Sequence, residues 1–134
     1  MTRIESEIIA IPQPQEKIFL FLSDFRNFEK LMPSTVSDWK ASKDSCSFTI
    51  SEMARVAMKI ESAIPNSKIH MISDEGGKLP FAFTLDSLIN STGASSCTGQ
   101  LIFEAEIPIF VRKMVNGPLE KFFNALARKM ADIK

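Results

Sequence analysis

The residues that could carry acid–base or nucleophilic chemistry are few and scattered in this 134-residue chain. The only imidazole is that of His70, and the two thiols, Cys46 and Cys97, stand alone without a Cys-x-x-Cys pair. Metal sites need three or four ligands such as His or Cys, which follow recognisable spacings. The sequence therefore predicts no metal site and no cofactor. It predicts two unpaired thiols that pack as small apolar residues, with metal ligation or redox sensing as the alternative.

Alternating polarity indicates which way the polar side chains point. Around His70, the apolar residues Ile69 and Met71 take one side of a strand-like segment, which places the imidazole on the other, solvent-facing side. Asp86 and Glu104 fall on the same kind of face, as cross-strand partners of lysines. These three residues are therefore predicted to lie outside any interior site.

The polar residues predicted to face inward are three serines: Ser6, Ser62 and Ser87. A hydroxyl can orient the polar end of a ligand, but it needs a base partner before it can act as a nucleophile. The inner face therefore favours binding over catalysis, while a cyclase- or dehydratase-type enzyme remains an open alternative that would need an inward acid or base.

The elements that must position these residues follow from period-two and helical patterns. Residues 3–11 alternate as a strand, Pro14 opens a helix, and a second short helix runs from Phe25 to Met32. Turn residues then separate six further antiparallel strands, near 35–41, 45–51, 55–64, 67–74, 80–90 and 96–107. Each long strand has one apolar face, which predicts a sheet that is covered on one side and solvated on the other.

The last 27 residues change abruptly to helical spacing. Seven apolar residues fall at steps of three and four, namely Val111, Val115, Leu119, Phe122, Leu126, Met130 and Ile133. Such a stripe over 108–133 is predicted to cover the apolar face of the sheet. Gly117-Pro118 lies inside this helix and predicts a kink near Lys113-Met114, either as two helical pieces or as one bent helix.

This order of elements resembles the helix-grip fold of the Bet v 1-like and START-like superfamily, which includes polyketide cyclase- and dehydratase-like proteins. The resemblance also covers the opening Ile8-Ile9-Ala10-Ile11-Pro12-Gln13-Pro14-Gln15-Glu16-Lys17-Ile18-Phe19 and the closing helix around Met114–Phe122. It implies an α+β fold in which a curved seven-stranded antiparallel sheet wraps around the C-terminal helix and leaves an elongated apolar cavity. We expect residues 1–134 to form one such domain.

Composition excludes several classes of function. Sixteen basic residues balance sixteen acidic ones, so the chain has no net positive charge for nucleic-acid binding. No apolar run approaches the roughly 20 residues that span a bilayer, and the N-terminus does not resemble a signal peptide. We therefore expect no stable membrane insertion and a cytoplasmic location. Eleven Phe, seven Met and no Tyr suit an adaptable apolar interior.

These patterns predict a binding protein for an apolar or amphipathic small molecule, such as a lipid, a polyketide or another aromatic compound. The alternatives are the cyclase- or dehydratase-like enzyme and a protein-interaction module, such as a chaperone activator, with a filled interior; a homodimer is compatible with each. Trp39 is either a packing residue or a cavity-mouth residue, and the loops at Met32-Pro33 and Gly76-Gly77 flank the mouth. A ligand's charged end is expected near Trp39 or Lys40. The predicted cavity lining is Trp39, Val56, Met58, Ile60, Ser62, Phe81, Phe83, Leu85, Ser87, Leu101, Phe103, Met114, Phe122 and Leu126.

Overall fold

The computed structural model describes residues 1–50, 54–75, 77–79 and 81–133. Within these residues the chain is α+β, with an eight-stranded antiparallel sheet and a long C-terminal helix, which confirms the predicted helix-grip architecture. The strands are β1 (Thr2–Glu5), β2 (Ile9–Ile11), β3 (Val36–Ala41), β4 (Ser45–Ile50), β5 (Ala54–Ile64), β6 (Lys68–Ser73), β7 (Phe83–Gly93) and β8 (Ser96–Ala105). The helices are α1 (Gln15–Leu22), α2 (Phe25–Phe28) and α3 (Ile109–Lys129), and 3-10 turns at Glu29–Leu31 and Met130–Asp132 follow α2 and α3.

The strands lie in the order β1-β8-β7-β6-β5-β4-β3, and β2 also pairs with β8. This leaves β1 and β3 at the two edges of the sheet. On β3 the pairing with β4 shifts between Ser37 and Lys40, where Asp38 has a positive φ of 54°. Such an irregularity makes an exposed edge a poorer template for further strand pairing.

The N-terminal strand is broken in two, whereas the sequence predicted one strand over 3–11. Glu5 pairs with Ile102 and Ile9 pairs with Gly99. The N-terminal segment therefore contains one residue more than the part of β8 with which it pairs. That extra residue reverses the alternation, because side chains in a strand point to opposite faces in turn. Ile4 therefore points inward in β1 and Ile11 in β2, while Ile8, predicted to share the face of Ile4, is 67% exposed.

A second irregularity interrupts β5. Ile60 pairs with Met71, but Ser62 pairs with His70, so two steps along β5 match one step along β6. The predicted inner face of this strand therefore holds only for its first half. Beyond Ile60 the alternation is reversed, and Ile64, predicted to be covered, is 59% exposed.

The two short helices begin where the sequence predicts. Pro14 precedes the first residue of α1 with an extended backbone, as its fixed φ favours at a helix start. Asp24 caps α2, since its carboxylate accepts a hydrogen bond from the backbone N–H of Arg26 at 3.0 Å. These helices bury Ile18, Leu22 and the edge-to-face pair Phe25 and Phe28.

The C-terminal helix α3 continues through Pro118 as one element, so the two-piece alternative is wrong. Five residues of its predicted stripe are buried: Leu119, Phe122, Leu126, Met130 and Ile133. Val111 and Val115 are half-buried and pack on the edge of the same core. The second half of α3 is thus anchored firmly, while its first half is more exposed.

Among the described residues, we find no helix with the length and apolar content needed to cross a membrane.

Candidate functional site

The space between the sheet and α3 is occupied by aromatic side chains. Trp39 on β3 packs on Phe48 of β4, with ring centroids 5.4 Å apart, and Phe48 stacks on Phe122 of α3 at 5.8 Å. On the other side, Phe122 meets Phe123 edge to face at 5.2 Å. The series continues through Phe103 on β8, at 5.0 Å from Phe123, to Phe83 on β7, at 5.4 Å from Phe103. The rings form a continuous aromatic column across the interior.

This column leaves almost no empty space. Among the described residues, the void between the sheet and α3 has a volume of about 20 Å³. Its wall is entirely apolar and consists of Phe48, Ile50, Val56, Met58, Leu79, Phe83, Leu85, Phe103, Leu119, Phe122 and Phe123. A single buried water needs roughly 10–15 Å³ of such volume. The elongated cavity that the resemblance implies is therefore closed, and the void can accept no ligand without rearrangement.

An open cleft lies directly beside the closed void. It has a volume of about 410 Å³ and lies between α3 and the segment that precedes β3. Its wall consists of Pro33, Thr35, Ile50, Gly117, Pro118, Lys121, Phe122 and Ala125. Two of these residues, Ile50 and Phe122, also border the void. We call this opening the α3 cleft; the side chains of Ile50 and Phe122 form the partition between it and the void.

A larger depression of about 650 Å³ lies at the loop between β6 and β7. Its wall includes Lys59, Asp74 and Glu75 as well as Phe81, and it borders the void through Leu79 and Phe83. Its mixture of charges makes it a poorer site for an apolar molecule than the α3 cleft. Pro33 lines the α3 cleft and Gly77 lines this depression, while Gly76 lies outside the described residues. That their loops flank a ligand's entrance stays a prediction.

Most of the predicted lining residues point inward. Nine are buried: Val56, Met58, Phe83, Leu85, Ser87, Leu101, Phe103, Phe122 and Leu126. Three are half-buried: Trp39, Ile60 and Phe81. Six of the buried residues meet around the void, namely Val56, Met58, Phe83, Leu85, Phe103 and Phe122. Whether they contact a ligand remains a prediction.

Two predicted lining residues do not face the interior. Ser62 is exposed, because the irregularity after Ile60 turns it toward the outer face beside His70. Met114 is 62% exposed, because it lies on the outer side of α3, away from the stripe that contains Leu119 and Phe122. The sequence pattern could not show the first change, since an extra residue in a strand has no polarity signal of its own.

The inward hydroxyls play unequal parts. The Ser6 hydroxyl accepts a hydrogen bond from the backbone N–H of Leu101 at 2.9 Å and donates one to the carbonyl of Glu7 at 3.0 Å. It thereby restores the pairing of β8 at the break between β1 and β2, which is a structural role. Ser87 is 1% exposed, and its hydroxyl makes no hydrogen bond to the described residues.

Sequence reasoning missed two polar residues of α3 near the site. Lys121 lines the α3 cleft and contributes a cation beside its apolar wall. Asn116 has a buried amide oxygen without a hydrogen-bond partner among the described residues. The position of Asn116 follows from helical spacing, because it precedes Leu119 by three residues. The position of Lys121 beside the cleft does not, because the opposite wall comes from the segment around Pro33.

The two thiols are unpaired and buried, which confirms the prediction. Burial, the dominant cause, raises the pKa of the Cys46 thiol to about 12 despite an opposing backbone hydrogen bond, and it raises the pKa of Cys97 as well. A thiol is nucleophilic as the thiolate. Both groups therefore remain protonated and unreactive near neutral pH.

His70 lies on the outer face of the sheet, as predicted. Its Nδ1 is 2.5 Å from Oδ1 of Asp86 on β7, and its Nε2 is 3.5 Å from a carboxylate oxygen of Glu61. Lys68 approaches the other oxygen of Asp86 at 3.9 Å, which confirms Asp86 as a cross-strand partner of a lysine, while Glu104 pairs with Arg3 at 3.5 Å. Among the described residues, no group of His, Cys, Asp and Glu side chains has the geometry of a metal site.

Comparison with known proteins identifies the fold through structure alone. No protein-family model and no curated protein sequence matches the chain. A protein of Thermus thermophilus superposes with a TM-score of 0.76 at 17% identity, covering 98% of this chain and 95% of that one. A START superfamily protein of Mycobacterium smegmatis gives 0.69 at 15% identity, covering 98% and 99%.

Norcoclaurine synthase of Thalictrum flavum, solved with dopamine and hydroxybenzaldehyde, gives a TM-score of 0.70 at 15% identity, covering 99% of this chain and 88% of that one. These similarities extend over almost the whole chain, including the curved sheet and α3. The chain thus has the helix-grip fold, which it shares with the START superfamily protein and with norcoclaurine synthase.

Proposed function

We propose that this protein binds an apolar or amphipathic small molecule, such as a lipid or an aromatic polyketide, in the α3 cleft. The observation that carries the proposal is the cleft itself: about 410 Å³ of open volume, with a mainly apolar wall that separates it from the aromatic interior. Small-molecule sites are typically concave, mostly apolar and about 300–1,000 Å³ in volume, with a few polar groups that fix orientation.

The wall indicates how a ligand would be oriented. Ile50, Phe122 and Pro118 offer apolar surface, while Thr35 and Lys121 offer a hydroxyl and a cation. An anionic or strongly polar end would be costly to bury among the phenyl rings, so it would remain near Lys121. This replaces Lys40 as the expected partner of the ligand's charged end, since Lys40 instead lines a separate depression that contains Ser45 and Asp74.

A longer ligand would reach into the interior through the partition. Phe122 borders both the cleft and the void, so a rotation of this one ring would connect them. Its helix carries Gly117 and Pro118 just before the buried segment, where proline removes one backbone hydrogen bond. Displacement of Phe122 is therefore the step that would convert the closed interior into the cavity typical of the fold.

Norcoclaurine synthase, which shares the fold, holds two small aromatic molecules, and this supports small-molecule binding as a use of the architecture. Fold alone does not determine function. The ligand class proposed for this chain consequently rests on its own cleft.

The test is titration with a hydrophobic fluorescent probe, followed by competition with fatty acids, sterols and aromatic polyketides. The variant Ala125→Trp should abolish binding by filling the cleft. Lys121→Glu should weaken fatty-acid binding by up to about fivefold, because an exposed ion pair contributes up to about 1 kcal/mol, while sterol binding should change little. The control Lys129→Glu makes the same charge change on the same helix, outside the cleft wall, and should leave both affinities unchanged. Equal binding by Ala125→Trp and the unmodified protein would refute the site.

The filled interior favours one alternative function, a protein-interaction module. With a void of only about 20 Å³, the interior is packed like the core of a protein that interacts through its surface alone. If the unmodified protein binds no probe, while its fold is intact by circular dichroism, this alternative replaces the ligand-binding proposal.

A further inference from the structure

A solvent-facing stripe runs along α3, opposite the face that packs on the sheet. At about 100° per residue, its five members fall within about 80° of one another around the helix. They are Phe110, Met114, Gly117, Lys121 and Ala125, of which the first four are exposed and Ala125 is half-buried. Phe110 is 83% exposed and Met114 is 62% exposed. Two large apolar side chains placed one turn apart in solvent mark an interaction surface.

Antiparallel pairing centred on Gly117-Pro118 places each large apolar residue of the stripe opposite a small or flexible one. Phe110 precedes the midpoint between Gly117 and Pro118 by as many residues as Ala125 follows it, and Met114 and Lys121 are related in the same way. A two-fold interface brings each residue opposite its counterpart across the axis. We propose that this protein forms a symmetric dimer in which α3 packs antiparallel against α3 of a second copy, with the two-fold axis at Gly117-Pro118.

The shapes of the paired residues are complementary. Phe110 would lie level with the partner's Ala125, a small residue in the wall of the α3 cleft, so its ring has a concave surface to enter. Because this ring would fill the cleft, the dimer and a ligand bound in the α3 cleft would exclude each other. Met114 would lie along the aliphatic stem of the partner's Lys121. At the centre, the position of a Cβ on Gly117 has no atom of the described residues within 4 Å, so these residues leave room for a close approach.

The charges on one flank are also complementary. Lys113 and Glu120 are both exposed and lie within about 20° of each other around α3. On a single helix they are seven residues apart, a rise of about 10 Å, which is too far for a direct ion pair. Antiparallel pairing brings Lys113 within one turn of the partner's Glu120, and the two-fold axis creates this pair twice. Complementary charges of this kind favour one orientation over others.

Helix geometry supports a direct contact at the axis. Packed helices lie about 8–10 Å apart, and Cα atoms lie on a cylinder of about 2.3 Å radius. With the axis between Gly117 and Pro118, the two copies of Gly117 would be offset by about 1.5 Å along the helices, and their Cα atoms would lie about 4–6 Å apart. That separation lies within the range that a disulfide bridges. The geometry therefore provides a covalent test.

The first experiment measures mass by sedimentation over a concentration series, without ligand or probe, so its result is independent of ligand binding. The mass should rise from 15.0 kDa toward twice that value. Phe110→Glu should keep the chain at 15.0 kDa, while the control Leu20→Glu, which changes a 69% exposed residue on α1, should still associate. A mass of 15.0 kDa at every concentration overturns the proposal. If that monomer sediments with anionic lipid vesicles and Phe110→Glu does not, the stripe binds a membrane instead of a second copy.

The second experiment distinguishes this arrangement from other dimers. Gly117→Cys should form a disulfide-linked dimer faster than the control Glu16→Cys, whose cysteine is exposed on α1. The native thiols are buried and interfere little. Lys113→Glu and Glu120→Lys should each weaken association, and the double variant should restore it. Equal oxidation of the two cysteine variants, or a double variant as weak as the single ones, would show that α3 does not pair in this way.

Discussion

Replacement of Phe122 by alanine tests both the packing of the interior and the partition between the void and the α3 cleft. The ring is 4% exposed and contacts Phe48 and Phe123, with centroids at 5.8 and 5.2 Å. Its burial contributes about 2–3 kcal/mol to the free energy of unfolding, and the two aromatic pairs add about 0.5–1.5 kcal/mol each. Truncations of buried phenylalanine usually cost about 3–5 kcal/mol.

The expected loss lies in the lower part of that range, at about 3–4 kcal/mol, because the vacated space opens onto the cleft and water can enter it. With an unfolding entropy of about 2.1 cal/mol/K per residue, such a loss lowers Tm by about 10–14 °C. Urea unfolding can be followed by the fluorescence of Trp39, which packs on Phe48 beside the altered site. The same variant should bind more of the hydrophobic probe, since cleft and void become continuous.

Phe28→Ala is the matched control. Phe28 is 1% exposed and packs edge to face on Phe25, away from the cleft wall. Its loss of stability should be similar, without increased probe binding. A loss on the order of 1 kcal/mol for Phe122→Ala would refute the packing argument, and unchanged probe binding despite the full loss would refute the role of Phe122 as a partition.

Two further predictions concern groups that the sequence singles out. Ser6→Ala should lower the free energy of unfolding by about 1–3 kcal/mol, because it leaves the N–H of Leu101 without its acceptor; Ser62→Ala, on the exposed face, should change it by less than about 0.5 kcal/mol in urea unfolding. For Cys46, the folded pKa of about 12 lies above the ordinary value of 9.0, so the unfolded chain releases its proton first. The contribution of Cys46 to stability should be constant below pH 9.0 and fall as the pH rises toward about 12, and Cys46→Ala should lessen the loss of stability in that alkaline range.

Polarity patterns predicted the elements well where alternation was uninterrupted. Phe83, Leu85, Ser87 and Ile89 on β7 are all buried, as period-two alternation indicates. The same rule failed at Ser62 because one extra residue after Ile60 reverses every later side chain in β5. Register depends on which residues of the neighbouring strand form hydrogen bonds, and that information is not contained in the strand itself.

Sequence patterns also could not predict whether the interior is an open cavity or is filled by side chains. Phe48 and Phe122 were both predictable as apolar and inward, but whether their rings stack or stand apart depends on the distance between β4 and α3. That distance determines whether the same residues line a cavity or fill it. Lys121 shows the converse case, because its role beside the cleft depends on the segment around Pro33, which is remote in sequence.

The sequence by itself determined the order of strands and helices, the apolar face of each element and the long helix that covers the sheet, because these follow from local periodicity and from proline and turn residues. Only the tertiary structure decided that the interior is closed at about 20 Å³, and that the open space lies instead against Gly117, Pro118 and Lys121. The physical reason is that local patterns specify which surfaces become buried, whereas the volume between two buried surfaces depends on their separation and on how their side chains interlock.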